Sequence, residues 1–188
     1  MNKALTFTCL LFSTLVFCEE IKFHIEPYLQ TPKINEIKIR WEATSSKNYL
    51  VKFGAKNSNL NISTTPNVIH KRSLLIPNKL VVYEAHLEGL APDTKYYFQV
   101  ISKKKRSDIF SFKTLKRKNG NFAFIVASDA QNGHTITNKV IRESMMYHAF
   151  AGYSDKDDFP ISFALFPGDL VQSGIFHHLW KKQFFKPM

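Results

Sequence analysis

Two aspartates carry the candidate chemistry of this chain. Asp129 follows the apolar run Phe122–Ala127 in "FAFIVASDAQNG", and Asp169 follows a second apolar run, Ile161–Phe166, in "ISFALFPGDLVQSG". Each run predicts a strand covered on both faces, so each strand delivers one carboxylate at its end. In open α/β sheets, ligands bind beyond the carboxyl ends of the strands. Carboxylates held close together repel, and each needs a cation to stay ionised. A divalent metal pair meets that need with one carboxylate bridging, and such a pair can activate water and polarise a phosphoryl group. Gly168 predicts a sharp backbone turn, and Ala130 leaves room beside Asp129. The competing reading of each aspartate is a turn former or helix cap. Their matching places after two similar strands favour the metal reading.

The elements that must position these residues follow from periodicity. Between the two runs, Ile136, Val140, Ile141, Met145 and Phe150 recur near a spacing of three to four, which predicts an amphipathic helix from His134 to Gly152. Strand, helix, strand is a β-α-β unit, the start of an α/β domain over residues 122–188. Residues 115–121, "LKRKNGN", form a polar, basic linker before it.

From residue 25 to residue 114 the period is two. In "EIKIRWEA", Ile37, Ile39 and Trp41 share one face, and Lys38, Arg40 and Glu42 share the other. Tyr49, Val51 and Phe53 repeat the pattern, as do Val81, Tyr83, Ala85 and Leu87, then Tyr96, Phe98 and Val100. Ile109 opposes Phe110 and Phe112. Such alternation predicts half-buried antiparallel strands, and their number and spacing predict a β-sandwich over residues 21–114. In "GLAPDTKYYF", Leu90, Pro92, Thr94 and Tyr96 are spaced as in a fibronectin type III-like module, where a Tyr entering a strand bonds backward to the chain. "SKKKRS" is then the tip of the final hairpin.

The chain has 188 residues and a formal charge of +11. The charge clusters at residues 103–106 and at Lys113, Lys116, Arg117 and Lys118. That pattern suits attraction to anions, but a solvated turn and linker explains it more simply. No aromatic residue interrupts the KKKR run, so no nucleic-acid partner is expected. Residues 1–18 read as a signal peptide, with Lys3 early and an uncharged apolar run from Ala4 to Phe17. The run is shorter than the ~20 residues of a membrane span, so no span is expected. The chain is therefore expected to be exported: secreted, periplasmic or at the cell surface. A lipid anchor at Cys18 is the lesser alternative, because Phe17 fits a lipoprotein signal poorly. Both cysteines, Cys9 and Cys18, fall in this segment. The mature chain thus has no thiol ligand, and any metal must be held by oxygen and nitrogen.

Five segments in order, "PYLQTPKINEIKIRWEA", "GLAPDTKYYFQV", "FAFIVASDAQ", "FALFPGDLVQSG" and "WKKQFFKP", resemble the purple acid phosphatase-like metallophosphoesterases. The resemblance implies a fibronectin type III-like N-terminal domain followed by a calcineurin-like phosphoesterase domain. It implies two metal ions, drawn from Fe, Zn and Mn, and a phosphate ester substrate. It makes Asp129 a ligand of the first metal and Asp169 the bridge between both. Gln131 stands where related enzymes carry a metal-binding His. Gln172 stands where the coloured members carry a Tyr bound to ferric iron, so this protein is not expected to be purple. His134 is a possible site neighbour but reads more simply as loop surface. The family's Gly-Asn-His motif and later His motifs are not found before Met188. His177 and His178 do not match them and read as the surface of a helix in "GIFHHLWKKQFF".

The metal centre is thus half built in this sequence, from which a truncated reading frame, a pseudogene product, or one exon or fragment of a longer enzyme is expected. The expected function is a metal-dependent phosphoric monoester hydrolase. The alternative is a catalytically inactive secreted β-sandwich module with residues 115–188 as a vestigial tail.

Overall fold

A computed structural model describes residues 23–44, 48–72, 80–103, 105–117, 123–129, 136, 139–140, 143 and 161–186. The signal-peptide segment, Gln131, His134 and most of the expected helix from His134 to Gly152 lie outside the described residues. Within that span, Ile136, Lys139, Val140 and Glu143 are helical.

Among the described residues, nine strands build the N-terminal part: β1 Phe23–Gln30, β2 Ile37–Thr44, β3 Tyr49–Gly54, β4 Ile62–Thr64, β5 Asn67–Arg72, β6 Leu80–Leu87, β7 Lys95–Ser102, β8 Lys105–Arg106 and β9 Phe110–Lys113. They form two antiparallel sheets. One has the order β1-β2-β6-β5; the other has β4-β3-β7-β8, with β9 also paired to β7. The alternation in the sequence decides which side chains meet between them. Ile37, Ile39 and Trp41 from β2 and Val81, Tyr83, Ala85 and Leu87 from β6 are buried against Tyr49, Val51 and Phe53 from β3 and Phe98 and Val100 from β7. Rings lock the two sheets together: Tyr49 meets Tyr83 edge-on at 4.7 Å and Trp41 at 5.7 Å. Each fully buried large apolar side chain contributes roughly 1.5–3 kcal/mol.

The corner before β7 is built as expected. The Ala91 N–H donates to the Tyr96 hydroxyl at 2.9 Å, so the Tyr96 side chain reaches five residues back along the chain. Thr114 reinforces it, its Oγ1 accepting from the Thr94 N–H at 3.0 Å and donating to the Ala91 carbonyl at 2.6 Å. The basic run is a hairpin tip, with Ser102 paired to Lys105 and Lys103 in the left-handed region at φ 53.

Beyond the sandwich, β10 Ala123–Val126 and β11 Ile161–Leu165 pair in parallel, with Phe124 opposite Phe163 and Val126 opposite Leu165. A parallel pair requires a crossover connection, which agrees with the β-α-β reading. The expectation that both strands are covered on both faces is not met. Phe124 is 47% exposed and Val126 59%, because among the described residues only the partner strand adjoins β10. The chain ends in a helical segment, His177–Leu179, that widens into a π-helix over Trp180–Phe185, where the Lys186 N–H donates to Lys181 O at 2.9 Å. This segment packs Phe184 against Phe166 beyond β11 and Phe185 against Tyr28 on β1. Among the described residues no helix is long and apolar enough to cross a membrane.

Candidate metal centre at the strand ends

The parallel ladder runs one residue past β10, where the Ala127 N–H donates to Leu165 O at 3.0 Å. The two loops then stay together through one acceptor. The Gly168 carbonyl receives the Ser128 hydroxyl at 3.1 Å and the Asp129 N–H at 3.4 Å. Asp129 is thereby tied to the residue immediately before Asp169. Both aspartates adopt the left-handed region, at φ 57 and φ 49. Asp tolerates that region better than most residues, yet it remains a sparsely populated one for a side chain with a Cβ. The expected role of Gly168 is corrected here. Its φ is not positive and a Cβ would meet nothing within 4 Å, so the sharp turn falls on Asp169 itself.

Both carboxylates are exposed on the rim. Among the described residues, no lysine or arginine is ion-paired to either. Uncovered oxygen donors on adjoining loops fit a hard or borderline divalent cation better than a buried apolar ligand. Gln172 is also exposed, but its fixed part is its backbone: its N–H donates to the Gln183 Oε1 at 2.9 Å, and Gln183 is buried on the terminal helical segment. Trp180 anchors the same loop by donating its ring N–H to Gly174 O at 3.0 Å. The terminal segment therefore sets the course of the loop that follows Asp169.

A second group of metal-capable side chains was not legible in the sequence. His24 on β1, Glu42 on β2 and His177 on the terminal segment bring ligand atoms within 4.8 Å of one another. Alternation places Glu42 on the outer, polar face of its sheet, yet it is 1% exposed. His177, expected on a helix surface, is 9% exposed at its side chain, with Nε2 at 2.9 Å from Glu42 Oε2. The cause of both departures is the terminal segment, which covers this end of the sheet. His178, its neighbour, is exposed as expected. No signal within either local stretch reports this contact, which joins residues far apart in the chain. A third group, Glu36, His86 and Glu88, lies nearer the surface. There the Lys33 hydrogen bond holds the Glu36 carboxyl below its ordinary value, against a smaller opposing effect of burial.

Residues 23–114 match the family model described as the purple acid phosphatase N-terminal domain. A search of curated proteins finds no match. Among solved structures, the sensor domain of the anti-sigma factor RsgI4 of Pseudobacteroides cellulosolvens is similar at 21% identity, covering 52% of this chain and 97% of that one with a TM-score of 0.36. The fn3 domain of human contactin 1 is similar at 19% identity, covering 58% and 94% with a TM-score of 0.34. PhoD is similar at 12% identity with a TM-score of 0.48; the match covers 81% of this chain and spans 28% of the PhoD chain. With its two packed antiparallel sheets and its tyrosine corner, the segment from Phe23 to Thr114 is a purple acid phosphatase-like N-terminal domain.

Proposed function

We propose that this chain carries the first two metal-binding motifs of an exported phosphoric monoester hydrolase, with Asp129 and Asp169 as metal ligands at the start of a calcineurin-like phosphoesterase domain over residues 122–188. The observation that carries the reading is the shared Gly168 carbonyl. It ties the Asp129 loop to the Asp169 loop at the ends of two parallel strands, while both aspartates turn in the same left-handed conformation. The family match over residues 23–114 supports it, since that domain is named for its place in purple acid phosphatases.

In this reading Asp129 and Asp169 would be ligands of the metal pair. A divalent pair, of Fe, Zn or Mn, would activate water and offset charge on the phosphoryl oxygens when bound. Two carboxylates do not complete the coordination of two ions, so further oxygen or nitrogen ligands must join them. Gln131 and His134 follow Asp129 closely in sequence and are candidates for these ligands. The inert-module alternative is disfavoured by the docking of the terminal segment, where Phe185 packs on Tyr28 at 4.8 Å.

The test is manganese binding, followed by electron paramagnetic resonance, together with hydrolysis of p-nitrophenyl phosphate by the full protein loaded with divalent metal. Asp169→Asn is expected to weaken manganese binding by at least the 10–100-fold seen when outer-shell partners of metal ligands are removed. Unchanged manganese affinity in the Asp129→Asn/Asp169→Asn protein would remove the basis for the assignment.

A further inference from the structure

We propose that His24, Glu42 and His177 form a separate site for a borderline divalent ion of the zinc type, which clips the terminal helical segment to the outer face of the sandwich. The three residues come from three elements and from opposite ends of the chain, yet their ligand atoms lie within 4.8 Å of one another. The donor set is two imidazoles and one carboxylate. That combination suits zinc, with a remaining position for water.

Burial separates this group from an ordinary surface cluster. Glu42 is 1% exposed, its Oε2 lies 2.9 Å from His177 Nε2, and the His24 ring stacks on that of His177 at 4.9 Å and 24°. A buried carboxylate needs a positive partner, and removing it from water without one is costly. A divalent ion held by Glu42 and by both imidazoles would offset that charge and use both rings as ligands.

The consequence reaches the strand-end loops. The segment that bears His177 also bears Trp180 and Gln183, which hold Gly174 and Gln172 in the loop after Asp169. An ion bound by His24, Glu42 and His177 thus fixes the platform under that loop without touching Asp169.

The test is made in the Asp129→Asn/Asp169→Asn protein, so that its outcome is independent of the strand-end site. After chelation, zinc is titrated by calorimetry, and cobalt is added as an optical probe. The expected result is one equivalent of zinc bound, a higher melting temperature, and the intense visible bands of four- or five-coordinate cobalt. His177→Gln and His24→Gln are each expected to lower zinc affinity at least tenfold, whereas His178→Gln leaves it unchanged. Absence of zinc binding, weak bands of six-coordinate cobalt, or equal affinity in the His24→Gln/His177→Gln protein would overturn the proposal. Should His177→Gln fail to fold, the cobalt spectrum of the parent protein and the His24→Gln titration decide the matter.

Discussion

Replacing Tyr96 by Phe removes a single hydroxyl from the corner that launches β7. The ring stays buried and keeps its stack on Phe112, at 5.7 Å and 19°. The Thr114 bonds to Ala91 and Thr94 do not involve the phenol. What is lost is the 2.9 Å bond from the Ala91 N–H. A hydrogen bond of this kind contributes about 0.5–1.5 kcal/mol net, and more if the abandoned donor is sealed from water. Ala91 is exposed, so water can reach its N–H and the cost should stay at about 1 kcal/mol. In a domain of this size that lowers the melting midpoint by about 4–8 °C. Tyr96→Ala adds the loss of a buried ring, about 3–5 kcal/mol in comparable core truncations. Urea unfolding of the full chain can be followed through Trp41, which sits in the sandwich core, with Trp180 replaced by Phe so that only the sandwich reports. An unchanged midpoint in Tyr96→Phe, or a loss equal to that of Tyr96→Ala, would refute the assignment of the hydroxyl as the corner's fastening.

Two titrations give further outcomes. Burial, with a lesser contribution from Tyr83, pushes the Tyr49 phenol up from 10.0 to about 12. Its contribution to stability is therefore complete below about pH 10 and drains away as pH rises toward about 12. Tyr49→Phe should flatten that alkaline loss in urea midpoints measured across this window. Burial alone would raise the Glu84 carboxyl, but hydrogen bonds from Arg40 and Lys38 outweigh it and bring it below its ordinary 4.5. Arg40 lies directly opposite Glu84 across β2 and β6, its Nε at 2.7 Å. Stability from this pair is present above the ordinary value and is lost as pH falls through the lowered one. Arg40→Met should cost about 1 kcal/mol near neutrality and weaken the acid dependence, as read by urea midpoints on either side of pH 4.5.

The sandwich was legible because its determinants are local. Ile37, Ile39 and Trp41 alternate with Lys38 and Arg40, and a strand converts that alternation directly into an inner and an outer face. The corner was legible for a similar reason: Leu90, Pro92, Thr94 and Tyr96 lie within one short turn, so their spacing carries the geometry. The two strand-end aspartates were found from apolar runs that stop abruptly, and the parallel pairing of β10 with β11 brings their loops side by side. Their shared left-handed turn was not foreseen. The glycine marks a turn in the sequence, whereas in the structure Asp169 and not Gly168 carries the positive φ.

By itself the sequence determined which residues line the sandwich core and where two carboxylates leave two strands, because period and composition act over a few neighbouring residues. Only the tertiary structure decided that Glu42 is buried on a face its pattern marks as polar, and that His177 rather than His178 lies against it. The physical reason is that burial on an outer face depends on what covers it. Here the cover is a helical segment more than a hundred residues further along the chain, held by Phe185 on Tyr28 and by Gln183 on the Asp169 loop.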